Sequence, residues 1–169
     1  MIQIYYGNGK GKTTCAIGAA VRASGAGLKV LIVQFFKSSK SCERTILKDL
    51  QKIELYPCPD KVKFTFYMND TELQEEGKRY ASILKEIIAR QSEFDVIILD
   101  EFFTLLDSGL FTADKLSTFL SSIYNEKELI LTGHDVGKEF LTLADYVTEF
   151  KCIRHPYSKG VKARFGIEY

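Results

Sequence analysis

The feature that most constrains this chain sits close to its start. Gly7-Asn8-Gly9-Lys10-Gly11-Lys12-Thr13-Thr14 follows a short apolar segment, Ile2 to Tyr6, and opens a run of helix formers from Cys15 to Ala23. Strand, glycine-rich turn, helix is the setting in which a backbone curls its N–H groups inward around phosphate. The helix that follows adds unpaired N-terminal amides and the positive end of its dipole. In such a loop Lys12 reaches phosphate oxygens, and the Thr13 hydroxyl is placed to sit on Mg²⁺. The usual pattern has a longer spacer before Gly-Lys-Thr. Here three residues separate Gly7 from Gly11, and Tyr6 stands where the first glycine is expected. The loop is one residue short, so it is expected to hold a triphosphate differently from an ordinary NTPase. A glycine-rich turn that binds nothing is the alternative, and Gly-Lys-Thr-Thr at a strand-to-helix junction speaks against it.

The order of the remaining segments predicts the fold. Leu28 to Phe36 is a nearly unbroken apolar run, the pattern of a central parallel strand. The helix before it is rich in small residues and ends at Gly25 and Gly27. Glu43 to Leu50 reads as a short helix, and Ile53 to Tyr56 as a short strand closed by Pro57 and Pro59. Asn69 or Asp70 caps the next helix, whose apolar face is Leu73, Tyr80, Ile83, Leu84, Ile87 and Ile88. Phe94 to Leu99 is a buried strand ending in Asp100-Glu101. Thr112 to Tyr124 is a helix with Leu116, Phe119, Leu120 and Ile123 inward, and Glu128 to Thr132 is a strand that leads to Gly133-His134. A helix near Lys138 to Leu143 and a strand from Tyr146 to Ile153 complete the pattern. Strands alternating with helices imply an α/β fold: a P-loop NTPase-like, mostly parallel sheet with helices on both faces and ligands at the carboxyl ends of the strands.

At 169 residues, with no linker in sight, the chain is expected to form one domain, residues 1–169. The net charge of +1 gives no reason to expect nucleic acid or an anionic membrane as partner. Cys15, Cys42, Cys58 and Cys152 are scattered without a C-x-x-C pair, which suits reduced thiols in a cytoplasmic protein rather than a disulfide frame or zinc site. The first strand begins almost at once, with no secretory signal ahead of it, and no apolar run approaches the length of a membrane span.

Three further groups bear on chemistry. The Asp100-Glu101 pair would stand at the ligand edge beside the loop. Either carboxylate can hold Mg²⁺, directly or through water, and Glu101 can act as a base if the reaction is a hydrolysis. His134 reaches the same edge, where it either contacts phosphate or is a loop histidine without a role. Arg154 and His155, past the last strand, either close over a ligand or decorate the surface. Phe64-Thr65-Phe66-Tyr67 lies between turn signals, and reads either as core packing or as an apolar lid over a flat ligand.

Taken together the residues resemble a family, the P-loop ATP:corrinoid adenosyltransferases, over nearly the whole chain. Gly7 to Thr14 matches that family's own shortened loop. Arg22, Gln34-Phe35-Phe36-Lys37, Glu43-Arg44, Phe64-Thr65 and Leu99-Asp100-Glu101 fit its pattern in order. So do Leu131-Thr132-Gly133, Ala144-Asp145, Val147-Thr148-Glu149, His155-Pro156, Gly160-Val161-Lys162-Ala163 and Gly166-Ile167-Glu168-Tyr169. The chain departs from the pattern at His134, where the family usually has Arg, at Phe66, usually Trp, and at Ser38, usually Gly. The sequence also begins at the first strand, where many members carry an N-terminal arm that covers the site.

The resemblance implies transfer of the 5′-deoxyadenosyl group of ATP to the Co(I) of a corrinoid, with release of triphosphate. Asn8, Gly9, Gly11, Lys12, Thr13 and Thr14, within a loop that includes Gly7 and Lys10, would hold phosphates. Arg22 would contact the nucleoside, and Phe64 and Phe66 would wall off the lower face of the corrinoid. Thr13 and Glu101, with Asp100, would hold Mg²⁺. Lys12 and Glu101 are the catalytic candidates, and His134 stands in a position that contacts phosphate or cofactor. A homodimer and an electron-donating reductase or flavodoxin are the expected partners, with no nucleic acid and no membrane. The alternatives are an ordinary P-loop ATPase or kinase acting at the γ-phosphate, and a decayed module that binds ATP and corrinoid without turnover.

Overall fold

Among the described residues six short strands form one sheet, its central strands apolar on both faces. The structure, a computed structural model, describes residues 1–63, 65–123 and 126–168. The strands are β1 (Ile2–Tyr6), β2 (Val30–Gln34), β3 (Ile53–Leu55), β4 (Val96–Asp100), β5 (Glu128–Gly133) and β6 (Tyr146–Glu149). Their order is β3-β2-β4-β5-β1-β6, and every pairing is parallel. The expectation of a mostly parallel α/β sheet is met in full. All five residues of β2 and of β4 are buried, which is what a strand covered on both faces requires.

Side-chain alternation divides the core into two layers. On one face Tyr5, Val30, Ile32, Ile98 and Ile130 pack against α1 (Lys12–Gly25) and α2 (Cys42–Leu47). Ala16 and Ala20, one turn apart and fully buried, let α1 lie close to the sheet. On the other face Ile4, Leu31, Val33, Ile97, Leu99 and Leu131 meet the remaining helices. These are α3 (Asp70–Arg90), α4 (Thr104–Asp107), α5 (Ala113–Ser121) and α6 (Lys138–Leu141). Asn69 caps α3 in a reciprocal box with Glu72, and Thr112 caps α5. The predicted inward faces are buried at Tyr80, Ile83, Leu84, Ile87, Leu116, Phe119, Leu120 and Ile123.

Several boundaries shift: the apolar run Leu28 to Phe36 is a strand only over Val30–Gln34, and the strand predicted at Phe94 to Leu99 is Val96–Asp100. The helix predicted from Glu43 to Leu50 is Cys42–Leu47, because the backbone turns at Lys48 to Leu50 toward β3. The helix predicted to reach Tyr124 ends at Ser121, and Tyr124 lies outside the described residues. The last strand stops at Glu149 rather than Ile153. From Phe150 onward the chain bonds to the glycine loop instead of extending the ladder.

Candidate functional site

The loop Gly7–Gly11 leaves the carboxyl end of β1, which is flanked by the ends of β5 and β6. Both neighbours grip it. The Gly7 N–H donates to the His134 carbonyl at 3.0 Å, and the Gly9 N–H donates to the Phe150 carbonyl at 2.6 Å. The Asn8 side chain accepts from the Cys152 N–H at 2.9 Å. Gly7 has φ +111°, and a Cβ there would stand 2.5 Å from the Phe150 carbonyl oxygen. Glycine is therefore required both by conformation and by room. Lys12 folds back over the loop and donates to the carbonyls of Gly7 (2.7 Å) and Gly9 (3.0 Å).

Asp100 ends β4 and is completely buried. Its Oδ1 accepts from the hydroxyls of Thr13 (2.9 Å) and Thr132 (2.8 Å). Its Oδ2 accepts from the Gln34 amide (3.3 Å) and lies 3.7 Å from the Lys37 ammonium. Thr132 is used in both directions, because its hydroxyl oxygen also accepts from the Glu101 N–H at 2.8 Å. That bond holds Glu101 in a left-handed conformation, φ +59°, and the Thr104 hydroxyl donates to its carboxylate at 2.7 Å. Phe36, at the end of the neighbouring strand, has φ +53°. Two non-glycine residues in this region at adjacent strand ends mark backbone held in place by its surroundings.

Two cavities meet here. One, of about 590 Å³, is lined by Asn8 to Thr14, Lys37, Glu43, Glu101 and the tail residues His155 and Gly166 to Glu168. The other, of about 810 Å³, has Phe35, Phe36, Val62 and Phe66 in its wall, with Thr104 and Asp107 opposite. Lys37 and Glu101 line both. Burial pushes the Glu43 carboxyl up, but Lys37 at 3.0 Å and the Gln34 amide outweigh it and leave the group below the ordinary carboxylate range. Burial pushes Asp107 up, and the charges of Asp135 and Glu101 push the same way. On the tail, hydrogen bonds from Arg164 and Lys10 hold Glu168 down at about 2.

Most of the predicted residues converge. Asn8, Gly9, Lys10, Gly11, Lys12, Thr13, Thr14 and Glu101 line the first cavity, with Gly7 anchoring the loop and Asp100 directly behind Thr13. Others stand apart. Arg22 lies in the last turn of α1, about 15 Å along the helix from Lys12 at 1.5 Å per residue, in a cleft with Asp95 and Glu128 at the opposite edge of the sheet. The His134 imidazole is 59% exposed beside Asp135, and it is the backbone carbonyl of His134 that reaches the loop. Phe66 stands in the second cavity, 73% exposed, its ring against Tyr67. Phe64 lies outside the described residues.

The sequence named Gln34, Lys37, Glu43, Arg44 and Thr132 only as parts of a family pattern, with no role attached. One signal was available: Gln34 is a lone amide at the end of an otherwise apolar, fully buried strand. Such a group needs partners.

Hard oxygen donors at the loop threonine and at the strand-end acids suit Mg²⁺. Among the described residues no three His, Cys, Asp or Glu side chains gather into a cage made by protein alone. Magnesium sites commonly take one or two carboxylates and complete the shell with substrate phosphates and water, so the donor set fits.

A shortened glycine loop at the carboxyl edge of a parallel sheet, with its threonine bonded to a buried acid, defines a P-loop nucleotide-binding domain. The sequence model of the family "ATP:corrinoid adenosyltransferase BtuR/CobO/CobP" matches residues 1–169. The corrinoid adenosyltransferase of Escherichia coli K12 is 32% identical over all of this chain and 85% of its own length. Corrinoid adenosyltransferase CobA of Salmonella typhimurium LT2 is 30% identical with the same coverage. The corrinoid adenosyltransferase of Pseudomonas aeruginosa PAO1 is 26% identical over all of this chain and 83% of its own. The chain belongs to the ATP:corrinoid adenosyltransferase family, and is a transferase.

Proposed function

We propose that the chain moves the 5′-deoxyadenosyl group of ATP onto the Co(I) of a corrinoid, in the biosynthesis or salvage of adenosylcobalamin. The observation that carries this is the junction of the two cavities at Lys37 and Glu101. A polyphosphate on the loop and a flat macrocycle against Phe36 and Phe66 would bring C5′ and cobalt together there. The cobalt electron pair forms the Co–C bond, the C5′–O bond breaks, and triphosphate leaves with its bonding electrons. The nucleophile has no proton to lose, so no general base is needed, and the work is positioning and charge stabilisation.

The residues divide as follows. The loop amides that remain after Gly7 and Gly9 are committed, with Lys12 and Thr14, hold the phosphates. Thr13 and Glu101, backed by Asp100, hold Mg²⁺. When bound, that ion neutralises triphosphate charge. Phe66 and its neighbours exclude a lower axial ligand from cobalt, which makes Co(II) easier to reduce. Arg22, at the far end of α1 from the loop, lies outside the loop cavity and is given no phosphate contact within one chain. His134 contributes through its backbone.

The same reading takes residues 1–169 as one domain working as a homodimer in the cytoplasm, supplied with electrons by a reductase or flavodoxin. Four free cysteines accord with that compartment. Among the described residues no helix is long and apolar enough to cross a membrane.

The test is anaerobic incubation with ATP, Mg²⁺ and chemically reduced cob(I)alamin, followed by spectroscopy and a triphosphate assay. A light-sensitive alkylcobalamin together with triphosphate is expected. ADP without a cobalt–carbon bond would place the chain among ordinary P-loop ATPases or kinases. Binding of both ligands with no product would make it a decayed module.

A further inference from the structure

The Asp100 carboxylate receives two hydroxyls on Oδ1, from Thr13 and Thr132. Two donors on one oxygen leave the plane of the group free to turn. The Gln34 amide on Oδ2 fixes it, and the same nitrogen also donates to Glu43 Oε1 at 3.1 Å. An amide has two nearly isosteric orientations, and the wrong one would set an oxygen against two carboxylates. Arg44 decides between them. A guanidinium can only donate, and its Nη1 meets Gln34 Oε1 at 2.8 Å, so the NH₂ group must face the acids. Arg44 is itself tethered, because its Nη2 donates to the Tyr56 carbonyl at the end of β3, also at 2.8 Å. Gln34 is buried, so a displaced amide has no water to turn to. Neither Gln34 nor Arg44 lines either cavity, whereas Glu43 and Lys37 line the one at the loop.

We propose that Gln34 and Arg44 are positioning residues for the metal-bound nucleotide: Arg44 orients the Gln34 amide, and that amide holds the Asp100 carboxylate behind Thr13. The inference rests on the nucleotide reading above. Groups of this kind, one bond removed from a metal's ligands, typically change metal affinity about 10–100-fold when altered.

The experiment titrates Mg²⁺ in the adenosyl-transfer assay and measures ATP binding by calorimetry, with Mg²⁺ and with EDTA, for the unaltered chain, Arg44→Met and Arg44→Lys. Arg44→Met is expected to raise the Mg²⁺ concentration needed for half-maximal rate about tenfold or more, with ATP affinity in EDTA unchanged. Arg44→Lys returns a donor to Gln34 Oε1 and is expected to recover most of the loss. An unmoved Mg²⁺ requirement, or equal loss of ATP affinity with and without metal, overturns the proposal. Should Arg44→Met fail to melt cooperatively, Gln34→Glu carries the same comparison. It is isosteric, still accepts from Arg44, and cannot donate to Asp100. It should raise the Mg²⁺ requirement at neutral pH, and an unmoved requirement overturns the proposal. Failure of the unaltered chain to bind ATP in the calorimeter would sink the nucleotide reading itself. Transfer by that chain with unmoved variants sinks only the positioning role.

Discussion

Thr13 gives its hydroxyl proton to Asp100 across 2.9 Å, which turns the oxygen's lone pairs away from the buried acid. The first turn of α1 and the end of β4 are thereby linked through one hydrogen bond, and Thr13 is set up to act as an acceptor toward a cation. Thr13→Val keeps the shape and removes both properties. It should weaken Mg²⁺-dependent ATP binding by about tenfold or more, while Thr13→Ser should stay close to the unaltered chain. Calorimetry with and without Mg²⁺ measures this, and equal affinities for the Val and Ser variants would contradict it.

Asp107 supplies a pH test. Its folded pKa is raised by burial and by the neighbouring acids Asp135 and Glu101. A raised carboxyl favours the folded state at pH values below its unfolded pKa, and that contribution is lost as pH climbs through the folded pKa. At neutral pH the ionised group is therefore a burden. Asp107→Asn should melt at a higher temperature than the unaltered chain at pH 7, and the gap should close as pH falls toward 4. A gap that widens on acidification would reverse the assignment.

Gly7 combines a positive φ with a backbone oxygen where a side chain would go. Gly7→Ala must strain the loop or push Phe150 away, at a cost of at least about 2 kcal/mol. Urea unfolding should show a lower midpoint with an unchanged slope. Calorimetry should show ATP binding falling with it.

Phe66 packs little core, being 73% exposed. Phe66→Ala should leave the melting temperature nearly unchanged. It should impair adenosylation of cob(II)alamin supplied with a reductase more than adenosylation of chemically prepared cob(I)alamin. Equal losses in the two assays would remove Phe66 from the reduction step.

Much of this was legible in the sequence because the signals are local. The loop announces itself by residue type and spacing, and β2 and β4 by unbroken apolar runs. The capping of α3 was readable to within one residue, Asn69 or Asp70, and its buried face at Tyr80, Ile83, Leu84 and Ile87. The rest depends on residues far apart in the chain. That Gly9 is held by Phe150, that Lys10 pairs with Glu168, and that Arg44 selects the orientation of Gln34 follow only once the strands are ordered. Arg22 shows the same limit from the other side. Its family pattern was visible, but its place at the far end of α1 is a matter of helix rise.

The sheet order also bears on how the molecule is made. β1 precedes the other strands in the chain, yet it lies between β5 and β6, which follow the rest. Its pairings span more than 120 residues, as Ile2 with Leu129 and Gln3 with Tyr146. Closure over such separations is slow. The carbonyls that grip Gly7 and Gly9 belong to His134 and Phe150. The glycine loop thus acquires its shape only after segments more than 120 residues further along have docked, and a nascent chain ending before β5 has no scaffold on which to hold a nucleotide.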